Sequence, residues 1–439
     1  MEQLPADEYE HFQSYYSQWS GQPVPNASET TVARFHEKPP PNDEGLEQKV
    51  REEARSRFLQ RRSQQLLDNN QLKEVWTLLE EQHTPPVVDG EKMIDYKKFK
   101  SVADKAPDKA KCFFTATVFG NLQQKDPYGR VSILTLFNYV MRKTWLRQSR
   151  IGLSLYDISG QGYLTEKDLD LYISELIPTM PQLERLEESF HSFYTCTAVR
   201  RFLFFLDPKR MGRVRIVDVL ASGFLDDLLE LRESPSKDDE NISNASAQSS
   251  PRALEENWFS AENSLRVYGQ YLNLDTDRNG MLSQKELKQF ETGTLTDVFV
   301  ERVFQECLTY EGEMDYKGYL DFVLAMENKK DRASLEYFFR ILDVRQKGYL
   351  DAFAINYFFR AIQKLLEAEN QPMVLFEDIK DEIFDMVKPK DQLKIKLQDL
   401  IDCKQGDTVV SVLTDLDGFW KYENREYLAT EQDDDDAQC

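Results

Sequence analysis

The sequence predicts a mostly α protein built from a repeated helix–loop–helix unit, and three observations predict it. Aromatic and aliphatic residues recur at spacings of three and four, as in Leu265, Tyr268, Leu272, in Leu335, Phe338, Leu342, and in Phe358, Ile362, Leu366; this is the period of one helix face. Sustained alternation of apolar and polar residues, the mark of a half-buried strand, is hard to find. Short glycine-centred loops recur between the helical stretches, each with an aliphatic residue two places after the glycine: Gly162 and Leu164, Gly212 and Val214, Gly280 and Leu282, Gly348 and Leu350.

Taken in order, residues 1–43 are polar and end in His-Glu-Lys-Pro-Pro-Pro-Asn-Asp, a composition that buries little and breaks helices. A loose, disordered arm is expected there. Residues 44–231 form an expected N-terminal helical lobe, opened by a long helix over Leu46 to Leu67, which is dense in helix formers and has no Gly or Pro. At 232–257, Ser, Asn and Asp with two Ser-Pro steps replace the apolar rhythm, which reads as a flexible linker. Residues 258–426 form a second lobe. The run of aspartates within 427–439 repels itself and is expected as a solvated tail.

Composition narrows the function. The 439 residues carry 55 Lys and Arg against 77 Asp and Glu, a net charge of −22, and a phosphate backbone meets a repulsive field on such a surface. Nucleic acid is therefore not an expected partner. No apolar run approaches the roughly 18 residues that cross a bilayer, and Met1–Trp19 shows no signal peptide. Membrane insertion is not expected, and a soluble intracellular protein is. The five cysteines and four histidines are dispersed, without a Cys-x-x-Cys pair, so reduced, buried thiols are expected rather than a zinc site.

The informative loop runs from Asp275 to Glu286. Asp275, Asp277, Asn279, Ser283 and Glu286 stand at positions 1, 3, 5, 9 and 12, Gly280 at position 6 and Leu282 at position 8. This is the EF-hand calcium loop. A hard cation the size of Ca²⁺ takes about six to eight oxygens, and a tight turn at position 6 wraps one short segment around it. Asp275, Asp277 and Asn279 each offer a side-chain oxygen, Met281 its carbonyl, Ser283 an oxygen directly or through water, and Glu286 both carboxylate oxygens. A second loop, Asp157 to Asp168, offers Asp157, Ser159, Gln161, Tyr163, Thr165 and Asp168. Ser159 and Gln161 are neutral, and Asp168 is one methylene shorter than the usual Glu, so weaker binding is expected. Occupied and empty states remain equally open for this loop.

Two further loops keep the shape without the ligands. Asp343–Ala354 carries Arg345 and Lys347 at positions 3 and 5, and Asp207–Asp218 carries Lys209 and Met211 there; both are expected empty. Because each such hand exposes an apolar face that another covers, the inward aliphatic residues propose partners: Leu164 with Val214, Leu282 with Met314, Leu350 with Ile395. The fold class is thus mostly α, a two-lobed array of paired EF-hands, some degenerate, behind an N-terminal helical region. Each ligand-bearing loop sits beside an empty one. An ion at one hundred times its dissociation constant contributes about 2.7 kcal/mol, so calcium is expected to modulate. The aromatic triplets Leu203-Phe204-Phe205, Tyr337-Phe338-Phe339 and Tyr357-Phe358-Phe359 read mainly as core, with an exposed member of each expected as a docking point.

An enzymatic reading fails. Val409 to Gly418 resembles the strand and Asp-x-Asp-Gly of haloacid-dehalogenase-type phosphatases, with Asp415 first and Asp417 second, but only 21 residues follow, too few for that fold's other metal and lysine elements. A turn before a terminal helix is expected instead, and no catalytic residue is assigned.

Several strings go beyond a generic calcium loop: FFLDP (204–208), NWFSAENSLRVYGQYLNLDTDRNGMLSQKEL (257–287), ILDVRQKGYL (341–350), YFFRAIQ (357–363) and DEIFDMVKPKD (381–391). In these the chain closely resembles the B-double-prime regulatory subunits of protein phosphatase 2A, of the gamma type, from about Leu46 to about Glu426. The resemblance implies an elongated array and a non-catalytic subunit that docks on the HEAT-repeat scaffold, contacts the catalytic subunit and directs it to phosphoprotein substrates, with calcium at Asp275–Glu286. The alternative is a free-standing calcium sensor or cytoskeletal adaptor with no phosphatase.

Overall fold

The computed structural model describes residues 46–87, 90–123, 126–184, 186–232 and 257–425. The expected arm, the tail and nearly all of the expected linker lie outside these residues. The chain divides into two units, Met1–Phe58 and Leu59–Cys439. The first is described from residue 46, as the start of α1 (Leu46–Gln64), where Arg57 pairs with Glu53 one turn back at 2.7 Å.

The second unit begins with an apolar cluster formed by α2 (Asn69–Glu81), β1 (Met93–Ile94), α3 (Tyr96–Lys105), α4 (Ala116–Leu122), β2 (Val131–Ser132) and the start of α5 (Ile133–Tyr156). Side chains cap each of these helices. Asp68, Asp95, Thr115 and Ser132 accept from the N3 backbone N–H of α2, α3, α4 and α5, which satisfies donors that the helix itself cannot. Val75, Leu79, Ile94, Val102, Val131, Leu136 and Val140 are fully buried between them. β1 and β2 pair antiparallel with Ile94 opposite Val131.

A second cluster extends from Leu153 to Phe419. It holds β3 (Tyr163–Thr165), α6 (Glu166–Leu176), α7 (His191–Leu206), β4 (Arg213–Arg215), α8 (Ile216–Ala221) and α9 (Phe224–Glu230). The same cluster holds α10 (Ala261–Leu274), α11 (Gln284–Leu287), α12 (Asp297–Glu306), α13 (Tyr316–Glu327), α14 (Arg332–Leu342) and α15 (Ala352–Ala368). Last come α16 (Phe376–Val387), α17 (Leu397–Asp402), α18 (Gly406–Thr414) and α19 (Leu416–Glu423). Residues 153–231, grouped by the sequence with the first lobe, therefore share one core with residues 258–419. α7 is the reason. Tyr194 on α7 donates to Phe259 O at 2.9 Å, Trp258 Nε1 donates to Thr197 O at 3.2 Å, and Arg200 meets Asp321 on α13.

Side-chain exposure departs from the simplest reading of the sequence in three places. On α10 the stripe Leu265, Tyr268, Leu272 is not the core face: Leu265 and Leu272 are exposed, while Ser264, Val267, Tyr271 and Leu274 are buried. α10 carries apolar residues on both sides, and α7 and α13 together pack against one of them. None of the aromatic triplets has an exposed member, because α14, for example, is packed by α12, α13, α15, α17 and α18 and buries Tyr337, Phe338 and Phe339 together. Among the described cysteines, Cys112 is exposed and Cys196, Cys307 and Cys403 are half-buried; all four are free thiols. No helix among the described residues is long and apolar enough to cross a membrane.

Candidate metal centre

The loops meet as their inward aliphatic residues predict. Leu164 lies opposite Val214 in the β3–β4 pair, Leu282 bridges Met314 with two 2.8 Å bonds, and Leu350 bridges Ile395 at 2.8 and 2.9 Å. Burial of each aliphatic side chain holds two neighbouring loops in register, so position 8 joins one loop to its sister. The β1–β2 pair is a fourth junction of this kind, absent from the pairs that the sequence proposes. Its signal is present: Gly129, at φ 65°, is followed two places later by Val131.

In the strong loop, α10 delivers Asp275 at its C-terminal end and Ser283 begins α11 through a capping box with Glu286. Arg278 and Gly280 adopt left-handed φ of 59° and 80°, which curls the segment back on itself; glycine does so without strain. Carboxylate oxygens of Asp275, Asp277 and Glu286 then lie within 4.8 Å of one another, with Asp275 and Glu286 buried. Like charges at this separation repel. Asp275 is held by N–H groups of Asn279 (3.1 Å) and Gly280 (3.0 Å), and Asn279 Oδ1 accepts Met281 N–H at 2.7 Å.

Glu286 closes the loop. Its Oε1 accepts from the backbone N–H and hydroxyl of Thr276 at 2.9 and 2.8 Å, and its Oε2 accepts from the same groups of Ser283 at 2.9 and 2.8 Å. Burial pushes this carboxyl up, but the four bonds outweigh burial and hold it down at about 2. The group is therefore ionised at neutral pH. An all-oxygen donor set with three converging carboxylates fits a hard divalent cation such as Ca²⁺, with Asn279 Oδ1, the Met281 carbonyl and Ser283 Oγ completing the set.

The exiting helix is a single turn. α11 ends at Leu287, and left-handed Glu291 and Gly293 turn the chain so that Thr296 N bonds Thr414 O at 3.1 Å and Leu416 N bonds Thr294 O at 3.0 Å. A backbone tie to the α18–α19 junction replaces the remaining turns.

The second loop places Asp157 and Asp168 at its two ends, both buried. Asp157 is used internally, accepting from Ser159 Oγ (2.8 Å), Gly160 N (2.8 Å) and Gly162 N (2.6 Å); Gln161 N reaches Ser159 Oγ at 3.4 Å. Tyr163 opens β3, and Thr165 caps α6 with Asp168. Only two carboxylates serve this loop, against three in the other. The ligand-poor loops hold their first acids, Asp207 and Asp343, with backbone N–H groups in the same way but pair a later acid with cations: Arg215 grips Asp218 through two bonds of 2.6 and 2.9 Å, and Lys347 and Arg345 lie 3.4 and 3.9 Å from Asp351.

The Asp-x-Asp-Gly string sits between two helices rather than after a strand. Asp415 caps α19, accepting from Asp417 N and Gly418 N, and Asp417 pairs with Lys421.

Paired helix–loop–helix units joined by short antiparallel bridges, one loop lined with carboxylates, define a mostly helical protein whose arrangement is consistent with paired EF-hands. The model of the RSA-1 C-terminal domain family matches residues 275–427. Over 437 residues the chain is 57% identical to the gamma member of the B'' regulatory subunits of serine/threonine-protein phosphatase 2A from Homo sapiens, covering 99% of this chain and 94% of that protein. It is 38% identical to TON2 of Arabidopsis thaliana, a probable B'' regulatory subunit of the same phosphatase, covering 91% and 83%. A solved chain described as a PP2A PR70 holoenzyme, diCa, is similar with a TM-score of 0.52 and 25% identity, over 59% of this chain and 93% of that one. The chain belongs to the B'' family of protein phosphatase 2A regulatory subunits.

Proposed function

We propose that the chain is a non-catalytic subunit that docks on the scaffold and catalytic subunits of protein phosphatase 2A, directs the enzyme to phosphoprotein substrates, and is tuned by Ca²⁺ at Asp275–Glu286. The observation that carries the docking role is 57% identity across nearly the whole chain to a gamma-type B'' protein. The calcium role is carried by the three converging carboxylates. When bound, the ion would neutralise their repulsion; the residues themselves supply the oxygens and the turn that aims them. An ion at one hundred times its dissociation constant adds about 2.7 kcal/mol, enough to bias the α10–α11 hand against its neighbours without building the fold.

Purified chain mixed with the scaffold and catalytic subunits at physiological salt, with calcium and with chelator, tests the proposal. Recovery of a ternary complex whose affinity changes with calcium is expected. Failure to recover the scaffold in either condition overturns the docking role. Equal recovery in both removes the calcium tuning alone.

A further inference from the structure

Glu313 lies outside the twelve-residue loop, on the sister side of the Leu282–Met314 bridge. Its backbone is pinned. Tyr310 and Glu313 exchange N–H to O bonds of 2.8 and 3.0 Å, closing a tight turn through Glu311 and Gly312 at φ 54° and 88°, the left-handed pair such a turn requires. One residue further on, Met314 is tied to Leu282 by two bonds. The stem of Glu313 is thereby fixed against the calcium loop, and its Oε2 accepts from Asn279 Nδ2 at 3.1 Å.

The two ends of the Asn279 amide are told apart by their partners. Oδ1 accepts Met281 N–H at 2.7 Å, while Nδ2 donates to Glu313 and, at 3.3 Å, to Asp277 Oδ2. Asp277 is itself an oxygen donor of the cation site. With Asp277 engaged by an ion, Glu313 is the partner that remains for the amide nitrogen. An amide presents an oxygen donor to a cation only at one end, and a side chain free to rotate loses part of its population to the wrong orientation.

We propose that Glu313 is a positioning residue of the calcium loop: by holding Asn279 Nδ2 it keeps Oδ1 available to the ion, so that the sister loop, which lacks the ligand pattern, sets the affinity of its neighbour. Glu313 does not join the donor set. The inference rests on the reading of Asp275–Glu286 as a calcium loop.

Calorimetric titration of the full chain with calcium chloride tests it, using Glu313→Ala and Glu313→Gln, each alone and combined with Asn279→Ser. Loss of one hydrogen bond of ordinary strength predicts about fivefold weaker binding in Glu313→Ala. Glu313→Gln, whose amide oxygen still accepts, retains most of the affinity. In the Asn279→Ser background neither change has an effect, because serine has no Nδ2. Unchanged affinity in Glu313→Ala overturns the proposal, and so does equal weakening with and without Asn279, which is the signature of a nearby charge acting through space. A wild-type chain giving no calcium heat removes the calcium reading and this inference together. Wild-type binding that is insensitive to Glu313 removes the inference alone.

Discussion

Arg200 on α7 and Asp321 on α13 form a two-point ion pair, Nε to Oδ1 at 3.0 Å and Nη2 to Oδ2 at 2.5 Å, joining segments 121 residues apart in sequence. Both side chains are largely buried. Burial opposes the charge on each: at Asp321 it outweighs the guanidinium and pushes the carboxyl up, while at Arg200 the carboxylate more than offsets it; the planar fork of arginine matches a carboxylate in a way that lysine does not.

Removing one partner leaves the other charged and unpaired in the core. Arg200→Ala should lower the unfolding free energy by about 3 kcal/mol, read from the urea midpoint. Arg200→Met combined with Asp321→Leu should recover most of that loss, because matched apolar replacement of a buried pair is nearly neutral. If the double variant is no more stable than the single, the pair does not act as a unit.

Asp126 and Arg130 provide a pH test. Both side chains are buried, and Arg130 also donates to the carbonyls of Thr84 and Pro86 at 3.1 and 2.8 Å. Bonds from Arg130 outweigh burial and lower the Asp126 carboxyl from 3.8 to about 2. A depressed folded-state value means the contribution is present above pH 3.8 and is lost as pH falls through about 2. Wild type should therefore lose stability over that window, and Asp126→Asn should lack this part of the slope. Melting curves from pH 6 to about 2 check the difference.

Calcium should raise the melting temperature of the chain and chelator should reverse the rise. Glu286→Gln should abolish the main binding event, since it removes a charged donor from the loop. Asp168→Asn should change little, because the loop it closes has only two carboxylates. Two equally tight events in a calorimetric titration would contradict this ranking.

Gly418 is expected to matter for packing rather than chemistry. A Cβ there would lie 2.8 Å from Ser411 Cβ and 2.9 Å from Ser411 O, so Gly418→Ala must push α19 from α18 and should cost about 1–3 kcal/mol. Gly269 on α10 is the control, having nothing within 4 Å of the added atom. Gly269→Ala should stabilise by about 0.5–1 kcal/mol through helix propensity. Thermal melts of the two variants should move in opposite directions.

Much of the site is legible in the sequence because its information is local. Oxygen-bearing residues at fixed spacing around Gly280 mark the loop, and an aliphatic residue two places after the glycine names its partner: Leu282 with Met314, Leu350 with Ile395, Leu164 with Val214. The Ile94–Val131 pair obeys the same rule through Gly129, but its loops lack a ligand pattern, so the glycine spacing alone marks it. Glu313 carries no local signal, since only the bridge at Met314 brings it to Asn279.

By itself the sequence determined the helical class, the gathering of acidic residues within Asp275–Glu286 and the pairing of loops, because periodicity, turn geometry and donor chemistry act over a dozen residues. Tertiary structure alone decided which face of α10 is buried, how Tyr337, Phe338 and Phe339 are all enclosed, and why residues 153–231 share a core with residues 258–419. Those outcomes depend on which distant helix covers each surface, a balance of burial and charge pairing that no short window of residues contains.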